Sequence, residues 1–172
     1  MKRRDKMQKV VDTTIPRPEH PRPDFQRNDW VNLNGVWNFE FDDDDIGEKE
    51  SWFLGHEYKK QITVPFCYQS ELSGINDQSY HKVVWYQREF TVPAEFKGKR
   101  ILLHFGAVDY IAKVWLDGKY LGSHKGGYLP FKFDITHHVE ADGKTIHSIT
   151  VRVEDSRSCT QPRGKQNWKD KP

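Results

Sequence analysis

Cysteine is scarce: the 172 residues contain only Cys67 and Cys159, far apart in the chain. They make no disulfide framework and read as two separate thiols of a cytoplasmic protein. Long apolar runs are also missing. A bilayer span takes about 18–20 consecutive apolar residues, so no membrane partner is expected. The opening Met1-Lys2-Arg3-Arg4-Asp5-Lys6-Met7 is basic, but no apolar stretch follows it, and a secretory signal is not expected. Charge of one sign is lacking too. Lys and Arg total 27 against 25 Asp and Glu, a net charge of +2. A nucleic-acid binder concentrates basic charge on its folded part, so no nucleic acid partner is expected. No segment sustains a 3.6-residue apolar period, which argues against a helical fold. There is no internal repeat.

The common catalytic signatures are absent as well. There is no Gly-x-Ser-x-Gly, no Gly-x-x-x-x-Gly-Lys and no Cys-x-x-Cys. His137 and His138 are adjacent, so in a strand they would point to opposite faces and could not chelate together. Asp42-Asp43-Asp44-Asp45 offers several carboxylates, as a hard cation requires. Consecutive loop residues splay outward, however, and the run reads as a solvated acidic loop. Neither metal nor cofactor is expected. The other acids sit in turns (Asp117, Asp142) or on polar strand faces (Glu40, Glu154), which are ordinary solvated positions.

Aromatic residues are what the chain has in quantity: 13% of the total, with six Trp. A disordered chain is poor in such residues, so a folded domain with large anchors is expected. Trp30, Trp52, Trp85, Trp115 and Trp168 read as core or interface anchors before ligand-stacking platforms. Residues 1–24 form a basic, then Pro-rich arm, with Pro16, Pro18, Pro21 and Pro23 favouring extended backbone. From Phe25 the apolar period is two. Trp37, Phe39 and Phe41 alternate with Asn38 and Glu40; Ile101, Leu103 and Phe105 alternate with Leu102 and His104, a strand buried mainly on one face; Ile149, Val151 and Val153 alternate with Thr150, Arg152 and Glu154, a half-buried strand. Val83–Val92 is a longer strand with Val84, Tyr86 and Phe90 on one side. Phe131–Ile135 and the short Ile62–Val64, stopped by Pro65, add two more. Asp117-Gly118 between apolar stretches predicts a type I′ hairpin turn, because both central residues need positive φ. Gly126-Gly127 before Tyr128 reads as a turn permitting close approach of a neighbour. About eight strands with frequent turns predict an all-β fold, a two-sheet antiparallel β-sandwich of jelly-roll type, over residues 25–156. Residues 157–172 read as an exit segment.

Six phrases in order resemble a known family. They are Asp29-Trp30-Val31-Asn32-Leu33-Asn34-Gly35-Val36-Trp37-Asn38-Phe39, Val64-Pro65-Phe66-Cys67, and Val84-Trp85-Tyr86-Gln87-Arg88-Glu89-Phe90. Then come Phe105-Gly106-Ala107-Val108-Asp109, Val114-Trp115-Leu116-Asp117-Gly118, and Gly122–Phe131 (GSHKGGYLPF). Together they resemble the N-terminal, sugar-binding-type domain of glycoside hydrolase family 2, the β-galactosidase and β-glucuronidase group. The resemblance implies a galactose-binding-domain-like sandwich. It also implies a parent enzyme, a retaining glycosidase of carbohydrate metabolism, acting on a β-glycoside through two glutamates of a downstream TIM barrel. Homo-oligomerisation of the parent stays open.

That chemistry needs two carboxylates roughly 5–10 Å apart, and no such pair is identifiable in these residues. No residue is assigned a catalytic role, and the 172 residues alone are expected to be inactive. The tail carrying Pro162-Arg163-Gly164-Lys165-Gln166 resembles the family's passage towards the barrel. Asp155, Arg157, Arg163, Lys165, Gln166 and Trp168 are therefore expected at the rim of a sugar site or at an inter-domain contact. Two other roles remain open: an autonomous lectin-like carbohydrate-binding module, and a purely structural assembly domain.

Overall fold

The computed structural model describes residues 15–20, 22, 24 and 26–156. Eight strands form in them: β1 (Gly35–Phe41), β2 (Lys60–Val64), β3 (Val83–Thr91), β4 (Leu102–Phe105), β5 (Ile111–Leu116), β6 (Lys119–Lys125), β7 (Phe131–Asp134) and β8 (Ile146–Glu154). They divide into a six-stranded sheet, β2-β1-β3-β8-β5-β6, and the pair β4-β7. All strand pairs are antiparallel. The all-β sandwich expected from the alternation is the fold that forms, with its strands shared six and two.

Local chemistry sets the register. Asp117 and Gly118 have φ of 49° and 76°, the left-handed pair that a type I′ turn demands. The turn joins β5 to β6, and the Asp117 carboxylate then ties it to β8. Its Oδ1 accepts the Ser148 N–H at 2.7 Å, and its Oδ2 lies 2.8 Å from His147 Nδ1. His147 Nε2 accepts the Glu140 N–H at 3.0 Å, so Nδ1 carries the proton given to Asp117. Asp117 was expected to be merely solvated; it links three segments instead.

The inner face of the large sheet meets the small one. Trp37, Phe39, Ile62, Val84, Val114, Ile149 and Val151 pack there with Leu103 and Ile135. Each such side chain contributes roughly 1.5–3 kcal/mol of transfer free energy. Gly122 on β6 lets the two sheets approach closely. A β-carbon there would lie 2.8 Å from the Phe133 ring of β7.

The outer face departs from the sequence reading. β8 was expected to be half-buried because Thr150 and Arg152 alternate with its apolar residues. Both are in fact buried, at 4% and 3% exposure. Residues 42–58 cross this face and bring Trp52 onto Val83, Trp85 and Trp115, with Ile46, Phe53 and Tyr58 around them. Phe53 stacks on Trp115 at 5.1 Å, and Trp85 on Trp115 at 5.5 Å. The described part of the Pro-rich arm also lies on the domain. Asn34 Nδ2 donates to the Pro16 carbonyl and Asn32 Nδ2 to that of Arg17.

Candidate functional site

Strand β8 leaves the large sheet where β3 and β5 begin and β6 ends. Glu154 pairs with Val83 and with Ile111, and Ile111 pairs with Lys125. The next residue, Asp155, has an exposed side chain. Its N–H donates to the Lys82 carbonyl at 2.9 Å, and its carbonyl accepts the Tyr80 hydroxyl at 2.9 Å. Of the residues expected at a sugar-site rim or inter-domain contact, Asp155 therefore sits at this exit end. Arg157, Arg163, Lys165, Gln166 and Trp168 lie outside the described residues.

Two loops flank the exit. Tyr110 donates its N–H to the Glu154 carbonyl at 3.3 Å, and Gly126 donates to the Tyr110 carbonyl at 2.8 Å. Gly127 packs on Asp109; a β-carbon at Gly127 would lie 2.5 Å from Asp109 Oδ1. This is the close approach that the double glycine predicts. Partial desolvation beside the loop pushes the Asp109 carboxyl above its ordinary range, though the residue stays exposed. The His124, Phe131 and Phe105 rings stack in series, at 4.4 and 4.7 Å, and root the loop in the small sheet. Lys125 Nζ lies 5.7 Å from the centre of the Tyr110 ring. Beyond this base Tyr128 and Leu129 stand 72% and 68% exposed. The end thus offers an apolar tip on an anchored loop, with a carboxylate and an ammonium at its rim. Sequence reasoning did not single out Asp109, Tyr128 or Leu129; the double glycine before Tyr128 was the available signal.

The acidic run is the clearest correction. Asp42 is 3% exposed and is no part of a solvated loop. Its Oδ1 accepts the Ile46 N–H at 2.8 Å, and its Oδ2 accepts the Gly47 N–H and the Trp85 indole N–H, each at 2.9 Å. Asp43 lies 2.7 Å from His81 Nδ1. Asp45 pairs with the buried Arg152 guanidinium, which also meets Glu154 and Glu48. Burial raises the Asp45 carboxyl, but Arg152, aided by Lys82 and Lys113, outweighs it and holds the group below its usual range. Lys113 Nζ bonds both Glu48 oxygens, at 2.8 and 2.6 Å. These acids clamp residues 42–51 to the outer face, because a sheet carrying a buried arginine needs carboxylates brought to it. Glu40 and Glu154, read as solvated, accept from Lys59 N–H and Arg152 respectively.

The indoles follow the anchor reading. Trp52, Trp85 and Trp115 are buried. Trp30 is half-buried and meets the His20 ring edge-on at 4.8 Å. Trp168 lies outside the described residues. Among the described residues no group of three or more His, Cys, Asp or Glu could hold a metal ion. A shallow cleft of about 440 Å³ lies at the opposite end of the sandwich, lined by Phe96, Lys99, Arg100 and Thr136 among others. Two of its cations are paired: Lys99 with Asp29 and Arg100 with Asp134.

Arg88 on β3 completes the frame. Its Nη1 donates to the carbonyls of Leu33 and Asn34, both at 3.0 Å, and so holds the Leu-Asn-Gly turn before β1.

Comparison with known proteins gives a consistent result. The family model described as "Glycosyl hydrolases family 2, sugar binding domain" matches residues 30–163. A beta-galactosidase of Thermoanaerobacter pseudethanolicus is 38% identical over 133 residues, which is 75% of this chain and 16% of that protein. A beta-glucuronidase of Paenibacillus borealis is 36% identical over 61% of this chain and 18% of its own length. Among solved structures, Lactobacillus rhamnosus beta-glucuronidase superposes with a TM-score of 0.64 at 32% identity, covering 73% of this chain and 21% of that one. A Ruminococcus gnavus b-glucuronidase in complex with D-glucuronic acid gives 0.61 at 31%, covering 72% of this chain and 21% of that one. The chain thus spans 16% and 18% of the length of those two curated relatives.

Proposed function

The chain belongs to glycosyl hydrolase family 2, to the part described as its sugar-binding domain, and from that premise we propose that it is the non-catalytic β-sandwich of a β-glycosidase. The parent enzyme hydrolyses O-glycosyl bonds of the β-galactoside or β-glucuronide type. This domain supports carbohydrate binding and packs on a TIM-barrel catalytic domain carried elsewhere in the same polypeptide. The observation that carries the reading is the likeness of the sandwich to two kinds of β-glycosidase at more than 30% identity.

Four acids of the domain fit the division of labour. A retaining glycosidase needs one carboxylate free to attack and another free to exchange a proton, about 5–5.5 Å apart. Asp42 is occupied by three N–H donors, and Asp45, Glu48 and Glu154 by Arg152 and Lys113. Carboxylates held this way are poor nucleophiles and poor proton carriers. The domain extends from residue 25 to 156, with 1–24 as its arm and 157–172 as its exit. The exposed thiol of Cys67 supports a cytoplasmic setting.

The test compares the 172-residue chain with the full-length polypeptide of its reading frame on aryl β-galactoside and aryl β-glucuronide. Hydrolysis by the full-length protein alone is expected. Calorimetric titration of the isolated chain with galactose and glucuronate separates the lectin-like alternative. A Kd below about 1 mM, or −4.1 kcal/mol, would favour it over the proposal.

A further inference from the structure

We infer that the exposed tip Tyr128-Leu129-Pro130 is the docking point for the polypeptide that follows Ser156, and so for the catalytic domain assigned above. The inference rests on that assignment for the identity of the occupant. Its own support is the geometry of the exit end.

The tip is apolar and exposed, yet its base is held on every side. Gly126 is bonded to Tyr110, Gly127 packs on Asp109, and His124, Phe131 and Phe105 stack beneath it. His124 Nε2 is enclosed with no hydrogen-bond partner among the described residues. A loop anchored this firmly loses little conformational entropy when a surface closes over it. Large apolar side chains on such a loop, exposed at 72% and 68%, mark a contact surface more than a solvated turn does.

The occupant follows from connectivity. Tyr110 is hydrogen-bonded to Glu154, the last residue of β8, and to Gly126 at the base of the tip. The chain therefore leaves the sandwich two strand spacings from the loop that carries the tip, with Tyr110 at the start of β5 bridging them. Two side chains make a small patch. A separate partner or a second copy would need a buried area of roughly 1,000 Å² for a specific complex. A domain joined to β8 has no such requirement, because covalent connection gives it a millimolar effective concentration at the tip. A small apolar patch beside the exit is thus sufficient for a tethered domain and insufficient for a free one. Lys125 and Asp109 at the rim would fix orientation through opposite charges on that domain.

Hydrogen–deuterium exchange, followed by peptide mass spectrometry on the 172-residue chain and on the full-length polypeptide, tests this. The amides of Tyr128, Leu129 and Phe131 are expected to exchange at least 10-fold more slowly in the full-length protein. Equal exchange in both, or slowing that appears in the 172-residue chain as its concentration is raised, overturns the inference; the second result would assign the tip to a copy of the chain. A reading frame that stops at Pro172 overturns it as well. The double variant Y128S/L129S supplies an independent readout. It is expected to leave the unfolding midpoint of the 172-residue chain unchanged while removing the protection seen in the full-length protein. Protection that persists in the variant also overturns the inference. Glycosidase activity is scored separately. Hydrolysis without tip protection defeats the docking assignment and leaves the proposed function standing. Tip protection without hydrolysis does the reverse.

Discussion

The Asp42 carboxylate accepts the indole N–H of Trp85 at 2.9 Å, joining a loop that reads as pure surface to an indole that is fully buried. The same carboxylate holds the Ile46 and Gly47 amides. One side chain thus organises the loop and fastens it over the outer face. Substitution Asp42→Ala strips three donors of their acceptor and leaves the indole N–H unsatisfied in a buried site. Equilibrium urea unfolding is expected to show a loss of about 2–4 kcal/mol. Asp44→Ala, in the same run but on the exposed side, should stay within about 0.5 kcal/mol of the parent. Equal effects at the two positions would refute the organising role of Asp42.

Gly47 is expected to tolerate no side chain. A β-carbon there would meet Trp85 Nε1 at 2.6 Å, against an indole with no room to move. Gly47→Ala should cost about 1–3 kcal/mol through overpacking and shift the tryptophan fluorescence of the native state. Gly106→Ala makes a control, since nothing lies within 4 Å of a β-carbon there. Similar unfolding midpoints for the two variants would show that the outer-face packing is looser than described.

Much of the frame was legible in the sequence, for a physical reason. Period-2 alternation reports one buried face, and the residues of β1, β3 and β8 alternate because the small sheet covers their inner side. Asp117-Gly118 was legible because few residue pairs take two left-handed conformations in succession. The outer face was not legible. Arg152 and Thr150 look like solvent-facing residues in a strand, and only the crossing of residues 42–58 buries them. No local pattern announces that crossing, since it depends on Asp42 and Asp45 reaching partners far away in sequence. The candidate site shared this fate. Asp155 was placed by its position at the end of β8, whereas the tip at Tyr128 and Leu129 depends on anchoring contacts from Tyr110 and Asp109.

Acid should loosen the outer-face clamp. The Asp45 carboxyl is held below its ordinary value by Arg152, so its contribution to stability is fully present above the unfolded-state pKa, near 3.9. That contribution is lost as pH falls through the lower folded value. Asp142 acts in the same sense; the backbone N–H groups of Thr145 and Lys144 hold its carboxyl down at about 2. Stability followed from pH 6 to pH 2 is expected to decline below about pH 4, and the decline should be shallower in Asp45→Asn. An unaltered slope in that variant would show that Asp45 does not take part in the acid transition.

The turn before β1 should depend on the guanidinium of Arg88 more than on its charge. Nη1 serves the Leu33 and Asn34 carbonyls together, and the Trp37 indole N–H shares the Leu33 carbonyl at 2.8 Å. Arg88→Ala is expected to lose about 1.5–3 kcal/mol. Arg88→Lys should recover less than half of that, because an ammonium is more strongly hydrated than a guanidinium and costs more to hold at this half-buried site. Full rescue by lysine would assign the effect to charge alone.

The central claim is that these 172 residues bind and pack while chemistry resides elsewhere in the parent polypeptide. Initial-rate hydrolysis of aryl β-galactoside and aryl β-glucuronide, measured side by side for the pure chain and for the full-length protein, tests it most directly. The account predicts no turnover above buffer by the chain at any concentration, and turnover of one or both substrates by the full-length protein. Hydrolysis that rises in proportion to the concentration of the isolated chain, or a full-length protein inactive on both substrates, would contradict it.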